Sequence, residues 1–82
     1  MKLARDTDYK CPTLGAARRL VEHFVGHPVE MQPMQDDEKS YLLNLKGLQY
    51  LKGNVIWTND FMEWHVHSRT ILNLRRQTRG LI

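Results

Sequence analysis

The chain has 82 residues, 26% of them charged and 41% hydrophobic, which is the balance of an ordinary globular domain. That length leaves little room for both a core and an enclosed substrate cavity, so one small domain and no enzyme is expected. The net charge of +3 is a mild excess, and the single cysteine, Cys11, excludes an internal disulfide and fits a reducing, cytoplasmic setting.

Residues 1–12 carry Asp6 and Asp8 and contain no apolar run. They do not resemble a signal peptide and are expected to form an irregular arm ahead of a single domain at 13–82. No stretch approaches the ~18 apolar residues of a membrane span, so no membrane association is expected. Cys11, beside Lys10 and Pro12, reads as a small buried residue or an inert surface thiol rather than a nucleophile, because no cationic cluster or helix terminus is arranged to lower its pKa.

Thr13 is a candidate N-cap. Leu14, Ala17, Leu20, Val21, Phe24 and Val25 follow at spacings of three and four, which predicts an amphipathic helix over 14–25. Gly26 suits the residue just past its C-terminus, and Pro28 prevents continuation. The apolar stripe of this helix needs a sheet to bury it.

Val29 and Met31 alternate with Glu30 and Gln32 until Pro33 interrupts, which implies an edge strand or a bulge. Gln35 to Lys39 reads as a polar turn. Tyr41, Leu43 and Leu45 alternate with Leu42, Asn44 and Lys46 and predict a second strand. Residues 48–52 fit a wide loop, a helical turn or a short strand.

A two-residue turn at Asn59-Asp60 predicts a hairpin in which Trp57 faces Met62 and Val55 faces Trp64. Val66 continues that face, and a turn at 67–69 sets Val66 against Thr70 and Trp64 against Leu72. This register puts Trp57, Trp64 and Val55 on the core side. The alternative for residues 60–79 is a C-terminal helix starting at Asp60, with Asp60 and Glu63 as a capping box and Gly80 as its end. Its apolar residues scatter around the helix, so the strand reading is preferred.

The expected fold is therefore α+β: one N-terminal amphipathic helix on an antiparallel meander of four or five strands, either open or bent into a small barrel. This layout is similar to that of the Sm-like small barrels, in which an N-terminal helix caps a strongly bent meander. The similarity spans about Thr13 to Arg76. It includes Gly53-Asn54-Val55 before a strand and Ile71 to Leu74 after one. It implies a fold and carries no function.

Charge is distributed unevenly. Glu30, Asp36, Asp37 and Glu38 precede Lys39, whereas the chain from Trp64 onward holds Arg69, Arg75, Arg76 and Arg79 and no acid. Such a cationic edge suits phosphates, and Arg18, Arg19 and Lys52 are candidates to extend it. Tyr41, Tyr50, Trp57, Phe61 and Trp64 interleave with basic residues, as in proteins that stack bases and pair phosphates. Here Trp57 and Trp64 are assigned to the core, and Phe61 and Tyr41 are the candidates to face outward.

His23, His27, His65 and His67 could in principle hold zinc, but His27 lies beyond Gly26 and the others belong on polar faces, so no metal is assigned. No nucleophile and base, carboxylate pair or phosphate loop is legible, and no cofactor is expected. Two functions remain. The first is a small regulator that binds nucleic acid through Arg69, Arg75, Arg76 and Arg79. The second is a protein-binding adaptor or inhibitor, of the kind mobile elements often encode. It would use an open sheet edge or an apolar patch at Met31, Met34 and Tyr41, with the acids at 36–38 choosing a basic partner. Either function accommodates a homodimer.

Overall fold

The computed structural model describes residues 2–34, 39–47, 54–59 and 63–79. Its elements run β1 (Asp8–Cys11), α1 (Leu14–Val25), β2 (Val29–Pro33), β3 (Ser40–Leu45), β4 (Val55–Asn59), β5 (Glu63–His67) and α2 (Ser68–Thr78). The class is α+β, and the five strands form one open antiparallel sheet in the order β1-β5-β4-β3-β2.

Local chemistry sets α1 as the sequence implies. The Thr13 hydroxyl accepts from the Ala16 N–H at 3.1 Å. Gly26 takes φ 75°, in the left-handed region, and its N–H donates to the Glu22 carbonyl at 2.8 Å. Ala17, Val21, Phe24 and Val25 are buried, and Leu14 and Leu20 pack beside them. β2 is an edge strand with Pro33 as its last residue, where a missing N–H costs no ladder bond.

The first helix is not the first element. Residues 8–11, expected within an irregular arm, pair with β5 from Asp8↔His67 to Cys11↔Trp64. A four-residue strand in a polar stretch has no stability of its own. It forms because β5, more than fifty residues away, offers an unpaired edge. The sheet also does not close into the barrel that the Sm-like layout implies: β1 and β2 remain its two edges. The expected strand over Thr70–Leu74 is helix α2 instead. β5 already has β1 on one side and β4 on the other, so no ladder position beside it remains. In helical form Ser68, Thr70, Ile71 and Leu74 reach the core together. The helix starts at an unusual cap, with the His67 ring nitrogen Nδ1 accepting from the Arg69 N–H at 3.0 Å.

Both helices cover one face of the sheet. Tyr9, Cys11, Val29, Leu43, Leu45, Ile56, Trp64 and Val66 point into that layer with Val21, Phe24, Ile71 and Leu74. Strand alternation sends Asp8, Lys10, Ser40, Trp57, His65 and His67 to the opposite face, which no described helix covers, although Asn44 on that face is fully buried.

The hairpin register differs from the expected one. Thr58 pairs with Trp64, and Trp57 pairs with His65. The turn expected at Asn59-Asp60 lies partly outside the described residues, as do the segments 35–38 and 48–53. An odd shift in register exchanges the two faces of one strand. Trp64 is therefore 6% exposed in the core, whereas Trp57 is 43% exposed on the open face. Val55 leaves the core face with it.

Candidate functional site

The helical form of residues 68–78 rearranges the arginines. Arg69, Leu72, Asn73 and Arg76 recur at i, i+3, i+4 and i+7, so they form one stripe of α2. That stripe is one wall of a cleft of about 280 Å³. The other wall is Arg5 and Asp6, in the turn that leads into β1. Asp6 sits at φ 46°, a left-handed conformation that Asp tolerates better than most residues. The turn is tied to the start of α2 by two bonds. The Ser68 N–H donates to the Thr7 carbonyl at 2.9 Å, and the Thr7 N–H donates to the Ser68 hydroxyl at 3.2 Å.

Three guanidinium groups thus face one carboxylate in a single cleft. Among the described residues, none of Arg5, Arg69 and Arg76 forms an ion pair with Asp or Glu. Guanidinium groups stay charged at any physiological pH, so with Asp6 as the one carboxylate in the lining the cleft carries a net cationic field. Two first-turn N–H groups of α2 are already bonded, to Thr7 and His67, so the field comes mainly from side chains.

The remaining arginines lie elsewhere. Arg75 turns inward: its Nε donates to the Phe24 carbonyl at 2.7 Å, and its guanidinium stands over the Phe24 ring, 5.7 Å from the centroid. It satisfies an orphan carbonyl in the last turn of α1, a structural task. Arg79 is exposed at the C-cap of α2. Arg18 and Arg19 are exposed on α1, away from the cleft lining, and Arg18 pairs loosely with Glu22 at 3.7 Å. Lys52 lies outside the described residues. Arg5 had no signal in the sequence, because it joins the cleft through pairing across the whole length of the chain.

A second cluster occupies the open face next to this cleft. The rings of Trp57 and His65 stack in parallel, 4.2 Å between centroids and 6° between planes. His65 Nδ1 donates to the Asp8 carboxylate at 2.6 Å, which fixes the imidazole edge and places its proton on Nδ1. His67, two residues along β5, caps the helix that carries the arginines, and Ser68 and Arg69, next in the chain, line the cleft.

The apolar patch expected at Met31, Met34 and Tyr41 does not assemble. Met31 and Tyr41 pack against the core, and the Tyr41 ring meets Trp64 edge-on at 5.5 Å. Met34 alone is exposed, at 52%. Among the described residues, no three His, Cys, Asp or Glu side chains gather as metal ligands. No described helix is long and apolar enough to cross a membrane. Comparison with family models, curated proteins and solved structures finds no match to this chain.

Proposed function

We propose that this protein is a small non-catalytic module that binds nucleic acid, holding backbone phosphates in the cleft of Arg5, Arg69 and Arg76. One observation carries the reading: three arginines from two distant parts of the chain converge on a cleft whose lining holds one carboxylate, Asp6, and none of the three forms an ion pair among the described residues. Leaving like charges together costs folding energy, and guanidinium groups match phosphate oxygens in a bidentate fork. Exposed Arg79 extends the cationic stripe beyond the cleft. Arg75 drops out of the binding set, because its guanidinium is committed to Phe24.

The test is fluorescence anisotropy of labelled single-stranded RNA, single-stranded DNA and duplex DNA at two salt concentrations. Affinity should fall as salt rises, by about 0.7 to 0.9 log units per log unit of salt for each phosphate contacted. Binding should weaken in Arg69→Ala and Arg76→Ala. Flat titrations at low salt would remove the reading.

The adaptor reading retains one supporting observation, exposed Met34 at the end of the open edge strand β2. A protein captured through Met34→Asp-sensitive contacts, with no affinity for any oligonucleotide, would favour it.

A further inference from the structure

We infer that the open face of the sheet is a base-stacking platform, with Trp57 as its aromatic surface, and that it makes the protein selective for single-stranded nucleic acid. The inference rests on the phosphate-binding reading of the arginine cleft and adds what lies next to the phosphate. Across the sheet, the register sets Lys10, His65, Trp57 and Ser40 in one row. His65 covers one face of the indole, and Asp8 holds His65 in place. On the other side stands Ser40, whose side chain is too short to cover an indole. Trp57 therefore offers a flat, 43% exposed ring whose orientation is already fixed.

Two features select the occupant. Half-buried Leu42 and Val55 flank Trp57 on this face, and exposed Lys10 stands in its row beyond His65, an aromatic and a cation placed as single-strand binders place them. The open-face residue His67 immediately precedes Ser68 and Arg69, which line the arginine cleft. From His67 to His65 the strand advances two residues, about 7 Å. A chain whose phosphate lies at the Ser68–Arg69 end of the cleft would run on along β5 towards Trp57. Only an unpaired base presents a free π-face, because duplex bases are already stacked on both sides.

The test compares wild-type protein with Trp57→Ala, Trp57→Phe and Arg69→Ala/Arg76→Ala. The probes are an oligothymidylate octamer, an abasic octamer with the same backbone, and a duplex of equal length. The base-bearing strand should quench tryptophan emission and lose roughly 5- to 150-fold in affinity on Trp57→Ala. Trp57→Phe should recover most of that loss, and the abasic strand and duplex should not respond to either change. Oligothymidylate affinity unchanged in Trp57→Ala but lost in the double arginine variant overturns the platform and leaves the phosphate cleft standing. Absence of binding by wild-type protein to every probe overturns both. Emission that tracks protein concentration and ignores oligonucleotide assigns the face to self-association and also overturns the platform.

Discussion

The two faces of the sheet are built from the same strands and have opposite characters. On the helix-covered face Leu43, Leu45, Ile56 and Val66 are fully buried, and Trp64 nearly so. On the open face the same strands show Lys10, Ser40, His65 and Trp57, with Leu42 and Val55 half-buried among them. Two tryptophans seven residues apart thus serve different ends. Trp64 fills the layer under Tyr41 and opposite Cys11. Trp57 fills no core. A single exposed hydrophobic residue is ordinary on a protein surface; an indole stacked on an imidazole that a carboxylate fixes is a built arrangement, and folding alone does not require it.

Replacing each tryptophan measures the difference directly. Trp64→Ala leaves a cavity between the sheet and its helices and should cost about 3 to 5 kcal/mol, a large part of the stability of a domain this small. Trp57→Ala should cost less than about 1 kcal/mol, since it removes a half-exposed stack and no buried volume. Urea unfolding of the two variants decides the matter. Equal losses would mean that Trp57 is packed in solution and that the open face is covered.

Helix α2 repeats the contrast on its own surface. Arg75→Ala removes the donor to the Phe24 carbonyl and a ring contact, and should lower stability by about 1 to 2 kcal/mol, with oligonucleotide affinity of the folded protein unchanged. Arg69→Ala and Arg76→Ala should do the reverse. Stability should shift by no more than about 0.5 kcal/mol, while the salt dependence of single-strand binding flattens by about 0.7 per arginine removed. A loss of binding in Arg75→Ala as large as in the other two would return Arg75 to the interface.

How far this could be read from the chain depended on where each signal was stored. Helix α1 carries its own information: the Thr13 cap, the Leu14–Val25 stripe and Gly26 are all local. Strands β2 and β3 alternate locally, and Pro33 narrows β2 to an edge or a bulge, which the sheet order resolves as an edge. The hairpin of β4 and β5 was legible as a hairpin, but its register depends on the turn, and an odd shift moved Trp57 from core to surface. β1 and α2 depend on distant partners. Nothing in Asp8–Cys11 announces a strand until β5 is present. The strand pattern from Trp64 to Leu74 breaks at Ser68 because β1 occupies the edge it would need. The candidate site inherits this: Arg69 and Arg76 were legible as charge, but their convergence with Arg5 and the separation of Arg75 follow from α2 being a helix.

A smaller effect tests how firmly the open face is organised. Asp8 and His65 meet at 2.6 Å, with Asp8 more than a third exposed. A double-mutant cycle with Asp8→Ala and His65→Ala should return less than about 1 kcal/mol of coupling, as for other exposed pairs. Because His65 backs Trp57, Asp8→Ala should still alter tryptophan quenching by oligothymidylate, which a purely structural surface pair would leave unchanged.

The smallest effect belongs to Cys11, which lies on the covered face of β1 between open-face Lys10 and exposed Pro12. Burial pushes its thiol pKa above the ordinary 9.0 by disfavouring the thiolate. The unfolded chain therefore ionises first as pH rises. The stabilising contribution is complete well below pH 9, where the thiol is protonated in both states. It is lost as pH climbs towards the folded-state pKa. Lysine and tyrosine titrate in the same range, so the informative quantity is the difference between wild type and Cys11→Ala. Above pH 9 the wild-type protein should lose stability more steeply than the variant in urea unfolding, and parallel profiles would show that water reaches the thiol. Alkylation by iodoacetamide supplies the link to the first comparison. Cys11 pairs with Trp64 across β1 and β5, so Trp64→Ala should speed its modification, while Trp57→Ala, on the other side of the sheet, should leave the rate as it was.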